Sequence, residues 1–77
     1  MDALERFAAN VKELRAERGW SQEDLSRYSG LHTTAISKME RANRSPRFQT
    51  VIVLATTFEV PAARLWEGIP VKPSSEG

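Results

Sequence analysis

Positively charged side chains are concentrated in one short segment of this sequence. Residues 38–47, called the basic segment below, have a net charge of +3, whereas all other residues together sum to −2. The four cations of the basic segment are Lys38, Arg41, Arg44 and Arg47. A partner responds to such a local field and not to the charge of the whole chain. The basic segment therefore predicts contact with a polyanion, whose phosphate groups would bind the guanidinium groups.

The residues that lead into the basic segment predict a helix with a polar outer face. The stretch from Thr33 to Arg41 has neither glycine nor proline. At about 100° per residue, one arc of such a helix is polar and the opposite side is apolar. The polar arc consists of Thr33, Thr34, Ser37, Lys38 and Arg41, and the apolar side of Ala35, Ile36 and Met39. We therefore expect short hydrogen-bonding side chains and cations to face outward.

Acid–base and metal chemistry find little support in the sequence. Glu13 and Glu17 place two carboxylates on one helix face, but their polar neighbours Lys12 and Arg18 leave nothing to raise the pKa of one carboxylate. His32 is the only histidine and the chain has no cysteine, so a metal site lacks ligands. We expect no catalytic residues, no metal or other cofactor, no small-molecule substrate and no enzyme activity.

Length and composition limit the architecture to one small domain. The chain has 77 residues, of which 40% are hydrophobic and 27% charged, enough for a single modest core. Its longest apolar run, residues 51–55, is far below the roughly 20 residues of a membrane span, and its N-terminus is unlike a signal peptide. We expect a domain over residues 1–68, a short flexible tail over residues 69–77, and no contact with membranes.

Apolar periodicity and capping residues predict five helices around this core. The predicted helices run from Leu4 to near Gly19, from about Gln22 to Tyr28, from Thr33 to Arg41, from Phe48 to Phe58 and from Pro61 to about Trp66. Ser21 and Asp24 form the start signal of the second helix, and Trp20 before them is placed to pack on Leu25. Gly30 ends this helix in a sharp turn. Because about four residues separate the second and third helices, these helices must cross steeply.

Several motifs extend this pattern over about residues 4–67. They are Leu14-Arg15, Trp20-Ser21-Gln22-Glu23-Asp24-Leu25, Ile36-Ser37-Lys38-Met39-Glu40-Arg41, Pro46-Arg47-Phe48, and the ending Leu54, Ala55, Phe58 and Val60. Together they resemble the helix-turn-helix DNA-binding domains of the phage-repressor and Cro type, the XRE family. The resemblance implies a compact, all-α, five-helix lambda-repressor-like domain whose third helix enters the major groove of DNA.

The resemblance also implies roles for individual residues. Thr33, Thr34 and Lys38 would face base edges, Gln22 would lie near a phosphate, and Arg15 would reach the DNA backbone while pairing with Glu40. Side-chain chemistry agrees, because threonine offers a hydroxyl for either base type and a methyl for thymine, whereas lysine suits guanine O6 and N7. We expect base reading by Thr33, Thr34, Ser37 and Lys38, and backbone contacts by Arg15, Gln22, Arg41, Asn43, Arg44 and Arg47.

Three positions depart from the family pattern. His32 stands where relatives often have serine or threonine, which leaves the start of the third helix to Thr33 or to a phosphate contact through the imidazole. Ala42 stands where the family commonly has glycine, and we expect Asn43 to adopt the left-handed conformation in its place. Pro61 replaces a common capping residue of the last helix and affects geometry more than function.

These features predict a sequence-specific transcriptional regulator, either a repressor or a controller-type autoregulator, in the cytoplasm and associated with the nucleoid. We expect a homodimer on a partly palindromic double-stranded operator, with recognition helices about 34 Å apart. Leu65, Trp66, Ile69 and Val71 either complete the core or cover a partner protomer. The alternative is an antitoxin or another protein-interaction module of the same fold, against which the shortness of residues 69–77 counts.

Overall fold

The computed structural model describes residues 2–69 of the chain. Its elements are the α-helices α1 (Ala3–Glu17), α2 (Gln22–Ser29), α3 (Thr33–Glu40) and α4 (Phe48–Phe58), followed by a 3₁₀ helix (Ala62–Trp66). The predicted all-α class is confirmed. No helix within residues 2–69 is both long and apolar enough to cross a membrane. Most of the predicted tail, residues 70–77, lies outside the described residues.

The last predicted helix is a 3₁₀ helix and starts one residue later than expected. Pro61 keeps an extended backbone, with ψ 149°, and stands just outside the helix as its cap. The five residues that follow favour the tighter 3₁₀ turn, which is common in such short pieces. Leu65 is fully buried and Ile69 packs against the same core, whereas Trp66 is 43% exposed. Val71 lies outside the described residues.

Two helices begin with reciprocal capping boxes. In α2, the backbone N–H of Asp24 donates to Ser21 Oγ (3.0 Å), and the backbone N–H of Ser21 donates to the Asp24 carboxylate (2.9 Å), as the sequence predicts. Asp2 and Glu5 make the same exchange at the start of α1. The Ser21 N–H lowers the pKa of Asp24. This cap therefore stabilises the fold at neutral pH, and its contribution is lost as the pH falls through that lowered pKa.

Apolar residues from all five helices meet in one core. Its buried members are Phe7, Val11, Leu14, Leu25, Ile36, Met39, Leu54, Ala55, Phe58 and Leu65. Trp20 covers one side of the core, stacked on Phe58 with 5.8 Å between ring centroids and inclined against Tyr28 at 4.8 Å. Trp20 therefore joins α2 to α4, a longer-range role than the local packing on Leu25 that its position predicts.

One polar side chain lies among the buried residues of α1. Asn10 is 5% exposed, and its Nδ2 donates to the backbone oxygens of Leu65 and Glu67, both at 2.9 Å. A buried amide must find such partners, because leaving it without them would cost its full desolvation. The two bonds fasten the 3₁₀ helix to α1, and apolar periodicity alone gives no sign of them.

Small polar residues fix the turn between α2 and α3. The hydroxyl of Ser26 donates to the backbone oxygen of Leu31, and the backbone N–H of Leu31 donates to Ser29 Oγ at 3.1 Å. Gly30 lies between them with φ +81°, the left-handed conformation that the sequence predicts. Ser26 and Ser29 therefore hydrogen-bond the turn itself and stabilise its change of direction.

The end of α3 departs from the sequence prediction. Ala42 itself adopts the left-handed conformation, with φ 58°, and Asn43 does not, so the expectation for Asn43 is wrong. The reason is the position of the helix end: Arg41 is the cap, and the residue after the cap must turn back. The N–H of Ala42 then donates to Met39 O and that of Asn43 to Lys38 O, both at 3.0 Å. The hydrogen-bond pattern forces an alanine into a conformation that suits glycine.

Replacing Ala42 by glycine is expected to raise the free energy of unfolding by about 0.5–1 kcal/mol, because glycine adopts a positive φ without a steric cost. Thermal unfolding followed by circular dichroism measures the change, which corresponds to several degrees in a domain of this size. The control is Ala16→Gly at an exposed position of α1, where the same substitution costs about 1 kcal/mol. Equal destabilisation by both variants would show that Ala42 is unstrained.

Candidate nucleic-acid interface

The predicted polar arc of α3 faces solvent. Thr33, Thr34 and Lys38 are exposed and Ser37 is partly exposed. On the opposite side, Ile36 and Met39 are buried in the core. The helix therefore presents three hydroxyl groups and one ammonium group on a single outward face, all of them able to donate hydrogen bonds.

The four cations of the basic segment are exposed at the surface of the protein. Within residues 2–69, no ion pair involves Lys38, Arg41, Arg44 or Arg47. Elsewhere in the described part of the chain, Arg27 pairs with Asp24, and Arg64 lies 2.9 Å from Glu13. Asn43 is exposed beside these cations. The positive field of the basic segment therefore reaches solvent, where an anion can meet it.

Glu40, at the end of α3, joins this helix to α1 and to the start of α2. Its carboxylate is 3% exposed and accepts hydrogen bonds from Arg15 Nε and Nη2, both at 2.9 Å, and from Gln22 Nε2 at 3.0 Å. The pairing of Arg15 with Glu40 is therefore observed as the resemblance implies. The hydrogen bond to Glu40 raises the pKa of Arg15. Arg15 Nη1 also donates to the backbone oxygen of Trp20 at 2.8 Å.

Arg15 and Gln22, both predicted to contact the DNA backbone, are thus already engaged inside the protein. Arg15 uses three of its five N–H groups and Gln22 uses one of its two, so each retains donors for a further partner. Both side chains are partly exposed. The hydrogen bonds to Glu40 restrict where these remaining donors can point.

The helix that leads into the basic segment, α3, and the helix that follows it, α4, both begin without side-chain caps. His32 is the cap residue of α3 and Arg47 that of α4, and neither side chain accepts a hydrogen bond from its helix. The possibility that Thr33 caps α3 is therefore wrong, because Thr33 is already the first helical residue. The first-turn N–H groups of both helices remain available to water or to an anion, which the helix dipole favours.

The paired carboxylates of α1 belong to an ion network. Arg64 Nη2 lies 2.9 Å from Glu13 and 3.4 Å from Glu17, and the hydrogen bond to Glu13 raises the pKa of Arg64. The shared guanidinium explains why two carboxylates can occupy neighbouring turns of one helix face. Among residues 2–69, no three potential metal ligands of the histidine, cysteine or carboxylate type converge.

Known proteins that contain a helix-turn-helix are similar to this chain in sequence. The chain matches the helix-turn-helix family HTH_3 over residues 11–65. It is 38% identical to the control protein C.SmaI of Serratia marcescens over 65 residues, which cover 84% of this chain and 77% of that protein.

Two solved structures are similar in fold. The restriction-modification controller protein C.AhdI of Aeromonas hydrophila superposes with a TM-score of 0.77 at 32% identity, covering 80% of this chain and 94% of that one. The controller protein C.Esp1396I, solved as a tetramer with its natural 35-base-pair operator, gives a TM-score of 0.76 at 31% identity, covering 84% of this chain and 86% of that one. The similarity therefore extends over most of both chains in each case.

Glu40→Gln is expected to lower the free energy of unfolding by about 3 kcal/mol, because it leaves the partly buried charge of Arg15 without a counterion. The midpoint and slope of urea denaturation measure the loss. The control is Glu13→Gln, which breaks an ion pair whose carboxylate side chain is 60% exposed and should cost less than about 1 kcal/mol. Similar losses in the two variants would mean that Glu40 acts only as a surface charge.

Proposed function

The chain belongs to the helix-turn-helix family HTH_3 and is a DNA-binding regulator, and we propose that it recognises a specific operator through the outward face of α3. The observation that carries this proposal is the polar and cationic surface formed by α3 and the rest of the basic segment, whose cations no carboxylate within residues 2–69 pairs with. A helix of this size fits the major groove, where every base pair presents a distinct pattern of donors and acceptors.

Base reading is assigned to the four side chains on the outward face. Lys38 would donate to guanine O6 and N7. Thr33 and Thr34 would bond either base type through the hydroxyl and touch the thymine methyl, whereas Ser37, which is less exposed, offers only a hydroxyl. Threonine and serine discriminate weakly, so sequence-dependent deformation of the DNA would supply part of the specificity.

Phosphate contacts are assigned to residues around that face. Arg41, Asn43, Arg44 and Arg47 follow the recognition helix along the chain, and Arg15 and Gln22 border it through Glu40. Contacts of this kind fix the register of the protein on DNA and supply most of the salt-dependent affinity. The uncapped starts of α3 and α4 would add backbone N–H donors to the same set, with the His32 imidazole beside them.

A dimer is the form in which we propose that the protein acts. One recognition helix reads only a few base pairs, and a two-fold pair placed about 34 Å apart would read a partly palindromic operator. The matched controller proteins favour a controller-type regulator that acts on its own promoter. Such a protein works in the cytoplasm in contact with the nucleoid, and the proposed role needs neither a catalytic group nor a cofactor.

The bound sequence can be identified by selecting duplexes from random DNA with the purified protein. With the selected duplex, Arg44→Ala is expected to weaken binding to every sequence about equally and to reduce the slope of log Kd against log salt by about one. Lys38→Ala is expected to reduce the preference for the selected duplex over bulk DNA by about 1–3 kcal/mol. Fluorescence-anisotropy titrations at several salt concentrations measure both effects.

Arg27→Ala is the matched control for these titrations, because Arg27 is an exposed cation that Asp24 already neutralises. It should change neither the salt slope nor the sequence preference. An equal loss on all sequences after Lys38→Ala would remove Lys38 from the base-reading set. Failure of the unaltered protein to enrich any duplex would refute the proposed function.

A further inference from the structure

A small cavity lies between α3 and the loop that leads into α4. Its volume is about 230 Å³, and we call it the loop cavity. Its apolar lining consists of Leu31, Ala35, Met39 and Pro46, all of them buried or partly buried. Ligand sites in proteins are typically concave and largely apolar, with a few polar groups that fix orientation. The apolar lining therefore suits a small hydrophobic group.

The polar lining of the loop cavity is cationic. It consists of Arg44, Ser45, Arg47 and Thr50. Arg44 and Arg47 are exposed and form no ion pair within residues 2–69. Thr50 belongs to the first turn of α4, which has no side-chain cap and therefore favours negative charge. The loop cavity thus combines an apolar lining with hydrogen-bond donors that suit an anion.

Other depressions on the described part of the chain lack this combination. The depression between α1 and the end of α3 is lined by Lys12 and Arg41, but Glu5 and Glu40 line it as well and offset their charge. The depression beside Phe48 has no charged lining residue. Charge therefore singles out the loop cavity for an anion, and its apolar lining requires that this anion carry a hydrophobic part.

We propose that the loop cavity binds a small aromatic carboxylate, and that this ligand releases the protein from its operator. An apolar cavity of about 150 Å³ already holds a benzene ring, so the larger loop cavity has room for a ring and a carboxylate. Met39 favours a ring over an alkyl chain, because a thioether makes favourable contacts with aromatic rings. Guanidinium groups bind carboxylates through paired N–H donors.

Release follows from competition for the same cations. The carboxylate would engage Arg44 and Arg47, which are assigned to phosphates in the proposed function, and this part of the inference rests on that function. Phosphates can no longer use donors that the ligand occupies, and the ligand also cancels positive charge that DNA binding requires. Ligand and operator therefore weaken each other's binding, and by the same factor.

Titration of the full chain with sodium benzoate at constant ionic strength tests the site without DNA. NMR spectra should show saturable shifts of the Met39 methyl signal and of the backbone amides of residues 47–50. The expected Kd is about 1 mM or below, the range open to a ligand of about nine non-hydrogen atoms. Acetate lacks the ring and benzyl alcohol lacks the charge, so each should bind at least about 10-fold more weakly. Equal binding of either probe, or no saturable shift with benzoate, would overturn the proposal.

Two variants locate the bound benzoate. Ala35→Leu fills the loop cavity from α3, and Arg44→Gln removes one guanidinium from an exposed position that folding does not need. Each should weaken benzoate binding at least about 10-fold. The matched control is Ala9→Leu, because Ala9 is partly buried like Ala35 but lines the depression between α1 and α3. It should leave the benzoate Kd within about 3-fold, and thermal unfolding shows that the variants remain folded. Unchanged binding in both cavity variants would overturn the loop cavity as the site.

Competition with DNA tests the release. With the selected duplex, benzoate at about ten times its Kd should raise the operator Kd about 10-fold at fixed ionic strength, whereas benzyl alcohol should leave it unchanged. The operator Kd of Ala35→Leu should not respond to benzoate. An operator Kd that benzoate leaves unchanged in the unaltered protein would overturn the release. Failure to enrich any duplex would instead refute the proposed function, while the titration without DNA still decides whether the loop cavity binds the carboxylate.

Discussion

Glu40 joins three helices through one carboxylate that solvent hardly reaches. Arg15 comes from α1, Gln22 from the start of α2, and Glu40 from the end of α3. A carboxylate in this position would be costly without its partners, so the arrangement that brings all three side chains together is favoured. The outward face of α3 is therefore set from inside the protein. The proposed base reading needs such support, because hydrogen bonds tolerate only small errors in distance and angle.

The sequence predicts the helices and the exposure of the outward face of α3 because both depend on local pattern. The alternation of polar and apolar residues places Ile36 inside and Lys38 outside, and the Ser21–Asp24 capping box follows from residue types three positions apart. Contacts between distant positions are different. Neither the bonds of Asn10 to the 3₁₀ helix nor the stacking of Trp20 on Phe58 leaves a periodic signal, and Ala42 is strained only because of the hydrogen bonds that end α3.

Capping is distributed unevenly between the two halves of the protein. The helices α1 and α2 have reciprocal caps, whereas α3, α4 and the 3₁₀ helix have none. A serine or threonine in place of His32 would stabilise the folded protein by about 1 kcal/mol. The start of α3 lacks this stabilising cap, and a bound anion there would accept hydrogen bonds from the first-turn N–H groups. Such departures from local preference are expected where a protein binds its ligand.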